Sequence, residues 1–363
     1  MHSEREAVKA AFLQAHGLAS AKREPLAGDA STRSYERLHV STTQTLILMD
    51  QPPVLETPIC PPLATDAERI ALGYNAAARL AAGSISAFVT AAVYLRDRAL
   101  SAPKVLAFDV EAGLAVLEDL GEGLFATLIA KGQSETPLYE AAIDVQIRLH
   151  EQPAPHILQA EGLAWPLLAM DALALKVSTD TFLEWWPKFA GLAAFAPGIV
   201  AEWDGLWAPV WRRGEAGASV FCHRDYHAQN LLWLPERHGP ARVGLLDFQD
   251  ALCAHPAWDL THLLQDARRD IAIDLERTML DRYLTARANL DREQFLADYR
   301  ALATSNAARI LGRVFARQAL LGREQYKAFM PRTWRYLERN LTDPALAGLK
   351  SWFDRHVPQE ARA

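Results

Sequence analysis

Along the first sixteen residues, Val8, Ala11, Phe12 and Ala15 recur at helical spacing. They predict an amphipathic helix over 3–16, opened by a Ser3/Glu6 capping box and ended at Gly17. From Pro25 the pattern changes. A small, polar stretch at 28–34 precedes mixed residues over 35–40 and an apolar run at 46–49. These read as two antiparallel strands turning at Thr42, Thr43 and Gln44. Residues 51–62 hold five prolines and predict an extended loop. Alanine-rich stretches at 66–82 and 86–98 predict helices separated at Gly83, and 104–109 and 114–118 read as short strands. Beyond Gly121, Glu122 and Gly123 the pattern is mostly helical, over 139–151 and the tryptophan-rich 165–211. A β segment at 220–250 interrupts it before helices resume at Trp258.

This order predicts an α+β chain in two lobes. Residues 1–119 form a small β-rich lobe with a helical insertion, and 120–363 form a larger, mainly helical one. A cleft between two such lobes is a common ligand site. With 50% hydrophobic and 23% charged residues the chain can bury a sizeable core. A net charge of -6 argues against a nucleic-acid partner, which calls for a basic face. Three cysteines without a CxxC pair argue against a disulfide framework or zinc site and fit a reducing cytoplasm. The charged N-terminus and the absence of a long apolar run predict neither signal peptide nor membrane span, hence a cytoplasmic protein, expected as a monomer.

The chemistry concentrates at His223, Arg224 and Asp225, followed after four residues by Asn230. Further on, the apolar stretch Gly244, Leu245, Leu246 ends in Asp247 and Phe248. The first motif has the spacing of a kinase catalytic loop. Phosphoryl transfer is mainly positioning and charge neutralisation. One carboxylate must orient the acceptor hydroxyl and take its proton, the role expected of Asp225. A second carboxylate and an amide oxygen must hold Mg²⁺ against the phosphates of ATP, which suits Asp247 and Asn230. His223 is expected to brace the loop beside Asp247.

These two motifs, with Pro256, Ala257, Trp258, Asp259 and Leu260 downstream, resemble the aminoglycoside phosphotransferase and choline kinase superfamily. The resemblance implies a bilobal protein-kinase-like fold and an ATP-dependent enzyme acting on a small molecule. It gives Asp225 the role of base, Asn230 and Asp247 that of metal ligands, and Asp259 that of a structural brace. Residues 26–38 and Met49, Asp50, Gln51, Pro52 and Pro53 are similar to one branch, the N-acetylmuramate/N-acetylglucosamine 1-kinases of bacterial peptidoglycan recycling. That branch implies a sugar acceptor phosphorylated on its anomeric hydroxyl. Leu117, Glu118, Asp119, Leu120 and Gly121 resemble the hinge whose backbone meets adenine. Other acceptors remain open within the superfamily, namely aminoglycoside, choline-like or homoserine-like alcohols. So does a nucleotide-binding pseudokinase.

Two departures bear on the nucleotide site. No lysine occurs between Arg23 and Lys104, and Met49 stands where a kinase strand offers one to the phosphates. Arg33 is the favoured replacement, with Arg37 as the other. The loop of Gly28, Asp29, Ala30 and Ser31 has a single glycine, although its small residues still let backbone amides approach phosphate. For the acceptor side the candidates are His227, Asp250, Trp186 and Asn75. Asp250 either faces the acceptor or caps the next turn, and Asn75 with Tyr74 either forms a lid or belongs to a surface insertion.

Overall fold

The computed structural model describes residues 2–26, 33–52 and 58–362. Helix α1 (His2–Ala15) is followed by Gly17 at φ +72°, and Ser3 lies inside its first turn rather than ahead of it. Strands β1 (Lys22–Pro25), β2 (Ser34–His39), β3 (Thr45–Asp50), β4 (Val105–Asp109) and β5 (Leu114–Glu118) form one antiparallel sheet in the order β1-β2-β3-β5-β4. Period-two alternation gives the sheet two distinct faces. Leu38, Leu48, Leu114 and Val116 pack under Phe12 and Leu13 of α1. The opposite face carries Tyr35, Ile47 and Met49 toward the main core, and Tyr35, Arg37 and Ile47 border the cleft. Strand β1 escapes the sequence pattern because it is a polar edge strand with three of four residues exposed.

The insertion departs from expectation. In place of one helix over 66–82 there are α2 (Asp66–Leu72) and α3 (Tyr74–Ala77), broken at Gly73 with φ +99°. Glu68 caps α2: its Oε2 accepts from the Thr65 amide at 2.7 Å while its own amide donates to Thr65 Oγ1 at 3.3 Å. Helix α4 (Ile85–Asp97) then packs on the sheet.

The larger lobe holds α5 (Phe125–Ala130), α6 (Glu135–Leu149), the hairpin β6 (Ile157–Ala160) and β7 (Leu163–Pro166), α7 (Ala172–Ala190) and α8 (Pro197–Ala216). Next come β8 (Val220–Cys222), β9 (Leu231–Trp233), β10 (Val243–Leu245) and β11 (Leu252–Ala254). These four strands pair as β9 with β10 and β8 with β11, both antiparallel, so the segments after β8 and after β10 emerge together. Helices α9 (Ala257–Leu264), α10 (Ile273–Ala286) and α11 (Arg292–Arg309) follow, and α11 runs into a π-helix (Ile310–Ala316). Short α12 (Arg317–Leu320), α13 (Met330–Asn340) and α14 (Ala347–His356) complete the lobe. At Gly312 the π-helix meets the backbone of α7, where an added Cβ would lie 2.4 Å from the Thr181 carbonyl oxygen.

One sequence expectation is corrected by this core. Trp186 is fully buried, stacked on Phe182 at 5.6 Å between ring centroids and edge-on to Trp334 at 5.0 Å. Aromatic rings packed on one another bury the most area at helix crossings, so the tryptophans of α7 and α8 serve the core and Trp186 has no free face for a sugar. Among the described residues no helix is long and apolar enough to cross a membrane.

Candidate active site

The residues between β8 and β9 form a loop whose backbone is held from below. Asp259, wholly buried on α9, accepts from the His223 amide through Oδ2 at 2.7 Å and from the Arg224 amide through Oδ1 at 2.9 Å. Arg224 needs this grip, because its φ of +81° is costly for a residue with a Cβ. Its guanidinium adds a second anchor, donating to the Ala78 and Arg79 carbonyls of the insertion at 2.8 and 3.0 Å. The His223 ring is fully buried, edge-on to Tyr226 at 5.5 Å and to Phe248 at 6.3 Å. It therefore sits under the loop, beside the residue that follows Asp247.

The loop's upper side faces a cleft of about 1100 Å³, lined by Asp225, His227, Asn230 and Asp247 together with Arg33, Glu118 and Leu120. The Asn230 side-chain amide donates to the Asp225 carbonyl at 2.9 Å, leaving its Oδ1 to accept. The Leu246 amide donates to the Asn230 carbonyl at 3.0 Å, which ties the end of β10 to the loop that carries Asp225 and Asn230. Asp247 itself has φ +62°, a conformation that aspartate and asparagine tolerate better than most residues.

Arg33 stands immediately before β2. Its Nη1 donates to Asp247 Oδ1 at 2.9 Å and Gln249 Oε1 at 2.7 Å, and its Nε donates to Gln51 Oε1 at 2.7 Å. Met49, opposite Tyr35 in the β2–β3 register, is buried and uncharged. The cation beside the second acidic residue is thus Arg33, supplied one strand over from the usual position. Arg37, four residues further along, pairs instead with Asp119 at 2.7 Å and Glu122 at 2.6 Å. The Glu118 carboxylate is engaged by Arg237 at 2.6 Å and the Lys104 amide at 3.0 Å, so its charge already has protein partners.

On the far side of Asp225 stands His262, its Nδ1 3.9 Å from Asp225 Oδ1, beyond hydrogen-bond range. Burial, helped by nearby Arg309, holds this imidazole well below its usual pKa, so it faces Asp225 neutral. Arg268 and Arg309 line the same wall. None of His262, Arg268 and Arg309 carries a motif that sequence reasoning uses; each arrives through long-range packing.

Three further candidates sit elsewhere. Asp250 accepts from the Ala81 amide at 2.6 Å, fastening the insertion rather than lining the cleft. Asn75 is half-buried on α3 and also outside the lining, while Tyr74 lies under the Arg313 guanidinium, 3.6 Å from its ring centroid. Gly28, Asp29, Ala30 and Ser31 fall outside the described residues.

A five-stranded sheet lobe, a helical lobe and a cleft with an acidic pair and an asparagine define a protein-kinase-like phosphotransferase. The chain belongs to the phosphotransferase enzyme family, whose model matches residues 22–303. A protein named N-acetylmuramate/N-acetylglucosamine kinase, from Caulobacter vibrioides, is 58% identical over 363 residues, covering 100% of this chain and 99% of the relative. Two solved structures share the fold. A choline/ethanolamine kinase family protein from Mesorhizobium loti superposes with TM-score 0.51 at 15% identity, over 97% of this chain and 98% of that one. The ADP-bound aminoglycoside phosphotransferase APH(2'')-Ib gives 0.52 at 12% identity, over 91% and 98%.

Proposed function

We propose that this chain transfers the γ-phosphoryl group of ATP to the anomeric hydroxyl of N-acetylmuramate, with N-acetylglucosamine as second acceptor. The products are sugar 1-phosphates, which feed cell-wall recycling. The observation that carries this reading is end-to-end identity of 58% with the Caulobacter vibrioides kinase.

Within that reading, residues 1–119 form the nucleotide lobe and 120–363 the acceptor lobe. Adenine lies against Ile47, Leu117 and Leu232, apolar walls of the cleft near Glu118 and Leu120. With the Glu118 carboxylate already engaged, the hinge has its backbone to offer. Arg33, beside Asp247, meets the phosphates and substitutes for the absent lysine. Asp225 aims the sugar oxygen in line with phosphorus and accepts its proton. An anomeric hydroxyl is more acidic than an ordinary alcohol, which lightens the demand on that base.

Asp247 and the Asn230 Oδ1 are hard oxygen donors of the kind magnesium prefers, and they would hold it. Among the described residues no cluster of three or more His, Cys, Asp or Glu could bind a metal by itself. Magnesium is commonly held by one or two protein groups together with substrate phosphates and water. Bound there, magnesium would supply neutralisation of phosphate charge.

The test is ADP release with N-acetylmuramate, N-acetylglucosamine, choline, homoserine and an aminoglycoside offered in parallel. The two amino sugars should support turnover. Turnover with choline or an aminoglycoside and none with the sugars would replace this acceptor assignment.

A further inference from the structure

Arg309 stands out among the cleft's cations by what its guanidinium lacks. Arg33 and Arg37 each face a carboxylate across the cleft's N-terminal wall. Arg309, at the junction of α11 and the π-helix, hydrogen-bonds through Nε and Nη2 to one neutral acceptor, Asn306 Oδ1, at 3.1 and 3.0 Å. Among the described residues no carboxylate lies within ion-pair distance of it. It is half-buried, and the part that remains accessible opens into the cleft. Its environment is short of negative charge: burial pushes its pKa down, and the Asp225 carboxylate only partly offsets that. A desolvated guanidinium without a counter-ion is unfavourable, and an anionic ligand group relieves it.

The position of Arg309 selects which anion. It shares its wall with Ile310, Val314 and Phe315 of the π-helix and with Tyr326, remote in sequence from the strands that border the nucleotide side. The charge it feels most among acids is Asp225, the base that faces the acceptor. Widened π turns recur at functional sites, and this one is pinned by the contact of Gly312 with the α7 backbone.

We propose that Arg309 is a specificity-determining residue of the acceptor subsite, binding the lactyl carboxylate of N-acetylmuramate. The inference rests on the sugar-kinase reading above and adds to it the group that tells the two sugars apart. N-acetylglucosamine has no such carboxylate; with that sugar bound, Arg309 keeps its Asn306 contacts and is solvated in the cleft. It remains a substrate, and a poorer one.

The experiment compares steady-state kinetics on N-acetylmuramate, its methyl ester and N-acetylglucosamine. In the wild-type protein, masking the carboxylate as the ester should raise KM by about ten- to a hundredfold, the worth of a charge-assisted hydrogen bond. Arg309→Gln should use acid and ester alike, and Arg309→Lys should restore part of the preference. Equal use of acid and ester by the wild-type protein overturns the proposal without any variant having to fold. A raised KM for ATP in Arg309→Gln, with the acid-to-ester preference intact, overturns it in favour of a phosphate contact. If the wild-type protein phosphorylates neither sugar, the function reading falls and this inference with it. If it phosphorylates both sugars and uses acid and ester equally well, the inference falls alone.

Discussion

Asp247→Asn separates the roles assigned to the cleft more sharply than any other substitution. Asparagine has nearly the same shape and tolerates the left-handed conformation at φ +62°, so the backbone is unstrained by the change. Without ligand, the loss is the 2.9 Å pair with Arg33. The Asp247 side chain is 40% exposed, so this pair contributes only about 0–1 kcal/mol and thermal stability should barely move. Magnesium–nucleotide binding is another matter. A unit-charge pair at about 4 Å in an effective dielectric of about 20 is worth about 4 kcal/mol. Halving that for exposure and doubling it for a dication leaves about 4 kcal/mol, or on the order of 10²- to 10³-fold in affinity. Magnesium-free ATP should bind the variant at least as well as the wild-type protein, because Arg33 is released to the phosphates. Calorimetric titration of ATP with and without magnesium reads both quantities. An unchanged enhancement by magnesium, or a loss of affinity equal in its presence and absence, would refute the assignment of Asp247 as the metal-holding carboxylate.

Other perturbations follow from particular contacts. Asp225→Asn should reduce turnover by on the order of 10²-fold or more while ATP affinity is retained, and near-normal turnover would remove Asp225 from its role. His150, buried with Nδ1 2.7 Å from the Tyr283 hydroxyl, has its pKa pushed down by burial from 6.5 to about 3. The unfolded chain therefore binds a proton that the native state refuses, and stability is lost as pH falls from about 6.5 toward 3. Urea denaturation should show up to about 1.4 kcal/mol lost per pH unit from this residue, and the slope should shrink in His150→Gln; equal slopes in the two proteins would contradict it. Gly312→Ala drives a methyl group into the α7 backbone and should cost about 1–3 kcal/mol or more. Because the π-helix adjoins Arg309, the same variant should raise the KM for N-acetylmuramate more than that for ATP, and equal changes would detach the π-helix from the acceptor side.

What the sequence revealed and what it hid have physical reasons. Asp225, Asn230 and Asp247 were legible because their spacing is local: one loop and one strand end carry all three. Strand pairing around 42–44 was legible from the turn residues between two strand-like runs. Strand β1 was hidden because a polar edge strand lacks an apolar face, and the break at Gly73 because alanine content masks a single positive-φ residue. Trp186 shows that tryptophan density says nothing about which helix face meets the core. Arg33 was recognisable as the lone cation of its loop region, but its pairing with Asp247 spans 214 positions. Arg309 and His262 converge on the cleft only once the helical lobe is assembled, and no local pattern announces them.

The most direct test of the whole account is phosphorus NMR of the product formed from N-acetylmuramate and ATP. A resonance coupled to the anomeric proton, absent with Asp225→Asn, is the expected result. A 6-phosphate, or inorganic phosphate with the sugar unchanged, would contradict transfer to the anomeric oxygen by this site.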